Sequence, residues 1–511
     1  MNNTVANNKR IAKNTIFLYG RMLVMMMISL YTSRVILNVL GVEDYGIYNV
    51  VGGVVSMFSI LSASLSAAIS RFITFEMGKN NGEKLKRVFC TAINVQFVLI
   101  AIIVALSETL GLWFLNNKMV IPVDRLIAAN WVFQFSIITF GINLWSIPYN
   151  ATIIAHEKMS AFAYISLFEA IAKLAISYII MFEPFDRLIY YGFLMLTISG
   201  IQRIIYASYC RKHFEECHYT FIFDKNITKE MFGFAGWNFI GASSAILRDQ
   251  GGNLLINLFF GPSVNAARGV AMSVNHAVSG FVNNFMMALN PQITKNYAIG
   301  NFEYMFSLAF QGARLSYYIL LVLSLPIIFT APYLLKLWLG VVPNQTVSLS
   351  ILVLLFSMSE CLAGPLITIM LATGNIKKYQ IVVGGLQLLN LPISYVLLSL
   401  GFQVEIIFIV AIFVSVICEI ARLLMLRNMV GLSVKTFLRK VYFNVITVTI
   451  VASIIPYIVR SMVVLDDMVS FLYIVIVSVV SVLSVIYLIG CNKRDREIID
   501  KSFIKLVNKI K

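Results

Sequence analysis

The chain has 511 residues, of which 59% are hydrophobic and 13% are charged. Soluble domains are about 45–50% apolar and about 25% charged, so this composition excludes a row of soluble globular domains. The longest polar stretch, residues 211–229, is too short to fold alone, which excludes a large catalytic domain outside a membrane. The net charge of +16 does not indicate nucleic-acid binding here, because basic loops are what membrane topology requires.

Apolar segments follow one another along the whole chain, and each is close to the roughly 20 residues that cross a bilayer as a helix. They are continuously apolar, which favours α-helices over the alternating strands of a membrane barrel. The sequence predicts fourteen spans, at 15–38, 46–70, 88–115, 124–147, 160–182, 188–210, 234–258, 264–289, 306–331, 346–372, 379–400, 404–426, 440–460 and 468–490.

The loop charges indicate the orientation of these spans. About 27 of the 40 lysines and arginines fall on the side of the N-terminus, and about six fall on the other side. The N-terminal apolar run has no small-residue cleavage site and is interpreted as a retained first span. We therefore expect a multi-pass membrane protein with both termini in the cytoplasm.

The six cysteines are scattered, and one loop holds Cys210, His213, Cys217 and His218. Their spacing matches no strong zinc pattern, so a reduced cytoplasmic loop is favoured over a metal site. We expect no metal and no cofactor.

A weak internal repeat divides the chain into halves that share one orientation. Residues 36–41 and 256–261 are similar at an offset of 220, residues 71–74 then fall on 291–294, and residues 148–158 resemble 365–377. Parallel repeats of this kind are typical of transporters with a site between two lobes. We predict an all-α polytopic membrane protein of about 14 transmembrane helices, in two pseudo-symmetric six-helix lobes around a central cavity plus two C-terminal helices. The predicted boundaries are 1–213 for the N-lobe, 214–233 for a cytoplasmic linker, 234–430 for the C-lobe, 431–491 for the last two spans and 492–511 for a basic cytoplasmic tail.

Spans seven and eight carry the least expected residues. Arg248 and Asp249 lie halfway along the first, and Arg268 opens the second. A charge at the centre of a lipid-facing helix costs about 2.5–3.5 kcal/mol on insertion scales, so such residues persist where they face a wet cavity or a partner. We interpret these helices as lining a polar cavity. The alternative is that each charge is a structural ion-pair partner of another helix.

Other intramembrane charges fall into two groups. Glu169 with Lys173, and Glu419 with Arg422, are spaced to pair along one helix face and are expected to be structural. The remaining charges are candidates for a site that is rich in arginine, which suits an anionic ligand, because guanidinium groups bind phosphate bidentately and stay charged. These candidates are Arg21, Arg34, Arg248, Asp249, Arg268, Arg314 and Glu360.

Several local motifs resemble the Wzx-type oligosaccharide flippases of the multidrug, oligosaccharidyl-lipid and polysaccharide exporter superfamily. The likeness covers nearly the whole chain. It rests on residues 41–46 after the first span, 259–269, 288–295, 337–340 and 372–378.

The resemblance implies a function and a substrate. The protein would move an undecaprenyl-pyrophosphate-linked oligosaccharide repeat unit across the inner membrane by alternating access, for O-antigen, capsule or a related surface polysaccharide. It would be a transporter and not an enzyme, with membrane lipid around it and a polysaccharide polymerase as a candidate partner.

The resemblance also points to particular residues. Arginines of the corresponding spans bind substrate in relatives, which points to Arg34, Arg248 and Arg268, with Arg21 and Arg314 as further candidates. Asp249 and Glu360 are candidates for binding a coupling proton or sodium ion.

Two alternatives remain. A drug or cation antiporter of the same superfamily would have a cavity led by carboxylates and aromatic residues. A membrane polysaccharide polymerase or ligase would need a large periplasmic loop, and no predicted outside loop exceeds roughly a dozen residues.

Overall fold

The computed structural model describes residues 2–56, 59–117, 121–182, 186–260, 262–340, 342–491 and 496. Some side chains within the described helices, including that of Arg34, lie outside this description. The described residues form α-helices with short 3-10 and π turns, and they contain no strand. Eleven of the described helical segments are long and apolar enough to cross a bilayer. The prediction of an all-α polytopic membrane protein is confirmed.

The helices of the first half begin with α1, which Gly41 interrupts at a φ of +79°. Glycine adopts this left-handed conformation without steric cost, so the chain can break there between two predicted spans. The helices are α1 Asn2–Ser56, α2 Ser59–Gly78, α3 Gly82–Leu106, α4 Leu112–Asn117, α5 Leu126–Ala155, α6 Met159–Ile179, α7 Arg187–His213, α8 Lys225–Phe260 and α9 Pro262–Ala298.

The described helices of the second half are interrupted by one 3-10 turn and two π turns. Wide π turns occupy Leu438–Tyr442 and Ile486–Gly490, at the start and the end of the last two spans. The helices are α10 Phe302–Leu339, α11 Thr346–Glu360, α12 Gly364–Thr373, α13 Lys377–Leu388, α14 Asn390–Ser399, α15 Ile406–Val430, α16 Val434–Phe437, α17 Phe443–Met462 and α18 Met468–Val485.

Three predicted spans are not among the eleven apolar segments. Span 46–70 crosses residues 57 and 58, which lie outside the described residues. Spans 234–258 and 264–289 are helical as predicted, in α8 and α9. Their charged and amide side chains lower their mean hydropathy, which is the feature that made them the candidate site.

The chain divides into two compact units. Unit 1 contains residues 1–243, 287–301 and 371–377, and unit 2 contains residues 244–286, 302–370 and 378–511. The ends of α9 and α12 therefore belong to unit 1, together with all of α1 to α7. The lobe boundaries proposed from the sequence stay a prediction.

Unit 1 is organised around α5, which packs against α1, α2, α3 and α7, while α6 packs along α1. One apolar core forms around Phe133, which is fully buried with Val51, Leu115 and Leu188. A Cβ atom on Gly111 would lie 2.7 Å from Cζ of Phe133, so only glycine allows this close approach. Close packing around Phe133 thus holds α5 against the helices that surround it.

Unit 2 is built on α10 and α15. Helix α10 packs against α11, α17 and α18, and α15 packs against α11 and α14. An apolar core of Ile256, Ala271, Val353 and Phe408 joins α8, α9, α11 and α15. This core holds the helices that carry Arg248 and Arg268.

An ion cluster ties three segments of unit 1 together at the start of α7. Arg125 donates to Asp44 and to Asp186, at 2.6 Å between Nη1 and Oδ2 of Asp186. Asp186 also caps α7 by accepting from the backbone N–H groups of Leu188 and Ile189. Burial raises the pKa of Asp186, but the hydrogen bonds from Arg125 and from the backbone outweigh it and hold that pKa below its ordinary value.

The Asp186 cluster predicts a pH dependence of stability. A carboxyl whose folded pKa is depressed stabilises the fold above its unfolded pKa, and this contribution is lost as the pH falls through the folded pKa. We expect Asp186→Asn to lose about 1 kcal/mol or less at neutral pH, the range of an exposed ion pair. Thermal unfolding of the solubilised protein from about pH 6 to about pH 3 measures this, and the variant should converge with the wild type at the acid end. A constant difference across that range would contradict the assignment.

Candidate functional site

A polar cavity lies inside unit 2, among α8, α9, α11, α14 and α15. It has a volume of about 160 Å³ and is lined by Arg248, Asp249, Arg268, Asn275 and His276 together with apolar side chains. Pockets for drug-sized ligands usually measure about 300–1,000 Å³, so this one fits a single phosphate-sized group and not a whole glycolipid. Both arginines predicted in spans seven and eight therefore line one cavity.

Two glycines allow the helices around this cavity to approach closely. A Cβ atom on Gly251 would lie 2.3 Å from Cδ2 of Leu391, so the backbone of α8 rests directly on α14. A Cβ atom on Gly252 would lie 3.7 Å from Ile407 and 3.9 Å from Nη2 of Arg268. These glycines serve packing, and they leave room for the Arg268 side chain.

Arg248 lies between two carboxylates. Its Nε donates to Oδ1 of Asp249 at 3.1 Å, and its Nη1 lies 3.8 Å from Oε2 of Glu360. The guanidinium also lies over the ring of Phe356, with Cζ 5.0 Å from the ring centroid. The side chain of Arg248 is 13% exposed and that of Asp249 is 47% exposed. The Glu360 contact is too long for a hydrogen bond, so the guanidinium keeps donor capacity toward the cavity.

Arg268 reaches the same cavity from α9. Its Nη2 donates to the backbone carbonyl of Asp249 at 2.9 Å. Its Nε is buried and has no hydrogen-bond partner among the residues that the structure describes. Buried donors are normally satisfied, so an unpaired N–H here is a feature that a bound anion would satisfy.

Hydroxyl and amide groups surround the Glu360 side of the cavity. Glu360 accepts from Ser415 at 3.0 Å, and Asn275 accepts from Ser357 at 2.5 Å. The predicted coupling residues Asp249 and Glu360 are thus brought together around one guanidinium. Among the described lining residues two arginines, Arg248 and Arg268, outnumber one carboxylate, Asp249, while Glu360 contacts Arg248 without lining the cavity.

The other predicted arginines lie elsewhere. Arg21, in unit 1, donates to Ser166 at 3.2 Å and lies over the ring of Phe162 at 4.5 Å. Arg314, in α10, is 8% exposed, donates to the carbonyl of Gly490 at 3.4 Å and lines a different cavity of unit 2. The backbone of Arg34 is helical, and its side chain lies outside the described residues.

The two charge pairs predicted to be structural are confirmed as ion pairs. Lys173 lies 2.6 Å from Glu169, and Arg422 lies 3.3 Å from Glu419. Glu169 also accepts from Gln202 at 2.7 Å. Glu169 and Lys173 line a cavity of about 270 Å³ within unit 1.

Sequence reasoning missed a buried carboxylate at the end of α5. The side chain of Glu157 is 0% exposed and contacts Arg10 at 2.8 Å, Lys295 at 2.8 Å and Gln292 at 2.7 Å. Its φ is +58°, and Gly374 in the other half has a φ of +75°. The similarity between residues 148–158 and 365–377 was a sequence feature that could have marked this turn, because both stretches contain a residue with a positive φ near their ends.

Comparisons with known proteins agree with this architecture. The fold is that of the MATE transporters: a MATE structure in the straight conformation aligns with a TM-score of 0.70 at 14% identity, covering 83% of this chain and 96% of that one. A mutant of the Vibrio cholerae MATE transporter VcmN aligns with a TM-score of 0.69 at 17% identity, covering 84% and 99%. A transporter of the MOP superfamily from Pyrococcus furiosus, described as having a binding pocket of reverse polarity, aligns with a TM-score of 0.67 at 13% identity, covering 83% and 95%.

The sequence itself defines the family. The profile described as "Polysaccharide biosynthesis protein" matches residues 11–297, and the chain belongs to that family. The matched range includes Arg21, Arg34, Arg248, Asp249 and Arg268, whereas Arg314 and Glu360 lie beyond it. No curated protein sequence matches the chain. The resemblance that the sequence motifs suggested is confirmed for family and fold.

Proposed function

We propose that the protein is a flippase that moves an undecaprenyl-pyrophosphate-linked oligosaccharide across the bacterial inner membrane by alternating access. The family supports a role in polysaccharide biosynthesis, and the fold is one that transporters use. The loop charges support an orientation with both termini in the cytoplasm. The product would supply O-antigen, capsule or a related surface polysaccharide, and a polymerase would use it next.

The observation that carries this proposal is the pair of guanidinium groups in one small cavity of unit 2. Arg248 and Arg268 both line it, and the Nε of Arg268 is buried without a hydrogen-bond partner among the described residues. Arginine binds phosphate oxygens bidentately, with hydrogen bonds roughly twice as strong as neutral ones. The cavity accommodates a phosphate group, while the sugars and the polyprenyl chain would lie outside it. Arg34, Arg21 and Arg314 would serve as further contacts at other stages of the passage.

The carboxylates give this cavity a means of release. Asp249 and Glu360 contact Arg248 and balance its charge when no anion is bound. A pyrophosphate entering the cavity would compete with both carboxylates for the same guanidinium. Protonation of Asp249 or Glu360, or binding of sodium to them, would favour binding of the anion. Loss of the proton or sodium ion would restore the negative charge of the carboxylates and expel the anion. These carboxylates are therefore our candidates for coupling to an ion gradient.

A reconstituted assay tests the proposal directly. Purified protein in proteoliposomes should carry an undecaprenyl-pyrophosphate oligosaccharide from the outer to the inner leaflet, measured as loss of lectin accessibility. Arg268→Ala should slow this transfer by about tenfold, the low end of what a hydrogen bond to a charged group contributes. Empty liposomes give the background. Transfer at the wild-type rate by Arg268→Ala would remove the assigned role.

A drug or cation antiporter is the second candidate, and one observation favours it. The Asp249 carboxylate is 47% exposed and lies in the same cavity. In that case expression of the protein should raise cellular resistance to a cationic dye, and Asp249→Asn should abolish the gain. Dye resistance without transfer of the glycolipid in liposomes would replace the flippase proposal.

A further inference from the structure

A second cavity in unit 2 is larger than the first and has a different position. It has a volume of about 610 Å³ and lies between the first turns of α10, the start of α17 and the end of the last span. Among the residues that the structure describes, none lines both this cavity and the cavity of Arg248 and Arg268. Apart from Arg314, none of the described residues that line it has a role in the transport mechanism proposed above.

Basic side chains dominate the polar lining of this second cavity. Arg314, Arg439 and Lys440 line it, and Glu303 is the carboxylate among the lining residues. Arg314 is 8% exposed, so its charge is largely removed from water. Among the described lining residues the three cations outnumber the one carboxylate, so this part of the lining carries a net positive charge that suits an anion.

Two distortions of the helices meet at this cavity. Arg439 and Lys440 lie in the π turn Leu438–Tyr442, and Ile489 lines the cavity from the π turn Ile486–Gly490. The carbonyl of Gly490 accepts from Arg314 at 3.4 Å and from Tyr318 at 3.3 Å. Single π turns inside α-helices are rare and frequently occur at functional sites. Here one turn contributes two cations to the lining, and the other contributes Ile489, next to the carbonyl that accepts from Arg314.

The surroundings of the cavity are those of a membrane surface. Arg314 lies eight residues after the start of the predicted span 306–331, which is about 12 Å along a helix axis, within reach of a long side chain from the interface. Directly below the cationic turn, α17 exposes Phe443, Ile446 and Ile450, which are 71%, 52% and 61% exposed. These positions share one helix face. A ligand here would meet cations at its head and an exposed apolar face along its length.

We propose that this cavity binds the phosphate of an anionic phospholipid. Basic pockets between transmembrane helices at the membrane surface bind acidic lipid headgroups, because lysine ammonium and arginine guanidinium groups both bind phosphate. The acyl chains would lie along the exposed face of α17. The site holds a resident lipid between α10 and the last two helices of unit 2, and it does not depend on which substrate the protein transports.

The test uses the purified full chain in nanodiscs. Phosphatidylglycerol should remain bound in native mass spectrometry and should raise the unfolding temperature relative to phosphatidylcholine. The double variant Arg439→Gln, Lys440→Gln should weaken phosphatidylglycerol binding by roughly 25-fold, since each basic residue near a membrane surface contributes roughly fivefold. Both residues are exposed, so the variant is expected to fold.

The matched control removes the same charge from neighbouring positions in α15 and α16. Arg427→Gln with Lys435→Gln alters two exposed basic residues that do not line the cavity. Binding lost equally in both double variants would show a general surface attraction and overturn the proposal. Inorganic phosphate is the second comparison. If phosphate alone protects the protein as well as phosphatidylglycerol does, the ligand is a free anion and the lipid assignment is wrong.

Discussion

Replacing Arg248 with alanine is expected to lower surface polysaccharide display by about tenfold to a hundredfold, the range of a lost hydrogen bond to a charged group. The guanidinium is 13% exposed, lines the cavity of unit 2 and lies between Asp249 and Glu360. Alanine would remove the cation that contacts Asp249 and Glu360 and would leave the Asp249 carboxylate in the lining of a phosphate-sized cavity. The cavity would then attract less strongly the pyrophosphate that we propose it binds. Display is measured in cells whose only copy of the gene is the variant, with antibody or lectin staining.

Two further variants separate a binding role from a structural one. Arg248→Lys keeps the charge and loses the bidentate geometry, so display should fall less than with alanine. Arg427→Ala removes an exposed arginine from the end of α15 and should leave display unchanged. The amount of each variant in the membrane fraction is compared by immunoblot. Normal display from Arg248→Ala at normal protein levels would contradict the assignment.

Much of the helical architecture could be predicted from the sequence. Continuous apolar runs near 20 residues form helices because a bilayer offers no partner for a free backbone N–H or carbonyl group. Helices α8 and α9 were predicted even though they carry Arg248, Asp249 and Arg268, because apolar residues surround those charges. Residue spacing on a single helix also predicted the Glu169–Lys173 and Glu419–Arg422 pairs correctly, since such pairs depend on the helix repeat alone.

Contacts between helices could not be predicted in the same way. The distance between Arg248 and Glu360 depends on how α8 packs against α11, and nothing in either segment records that packing. The sequence grouped Arg314 with the other intramembrane arginines, yet its side chain lines a separate cavity beside Gly490. A list of buried charges therefore predicts that polar cavities exist, but the tertiary packing decides which charges share one.

Glu157 shows the same limit for a loop residue. In the sequence it is one acid beside Lys158 in a short basic loop, and an exposed position is the simplest interpretation. The fold instead buries it completely and brings Arg10 and Lys295 to it from positions more than a hundred residues away. Gln292 donates to the same carboxylate at 2.7 Å. Only the folded chain shows that one side chain connects α1, the end of α5 and the end of α9.

Replacing Glu157 with glycine is expected to free the end of α9 from the rest of unit 1. Glycine tolerates the left-handed φ of +58°, so the change removes the carboxylate without straining the turn. Removing one partner of a buried ion pair costs about 3–5 kcal/mol, because the remaining charge is left buried and unpaired. Lys295 and Gln292 would lose their partner at once. The alternating access that we propose requires contacts at one end of the helices to open in each cycle, and the variant should favour the opened state.

A cysteine reporter measures this opening. Thr294 is 7% exposed, so Thr294→Cys should react slowly with a thiol reagent in the presence of Glu157 and at least tenfold faster with Glu157→Gly, since each 1.4 kcal/mol changes an equilibrium about tenfold. The control is Glu169→Gln, which breaks another carboxylate pair of unit 1, with Lys173 at 2.6 Å within α6. Equal acceleration by both variants would indicate general loosening of unit 1. A selective effect of Glu157→Gly would identify the carboxylate as the contact that keeps the end of α9 closed. Both variants lose a carboxylate that contacts a lysine and a glutamine, but those partners lie in α9 for Glu157 and in α6 and α7 for Glu169.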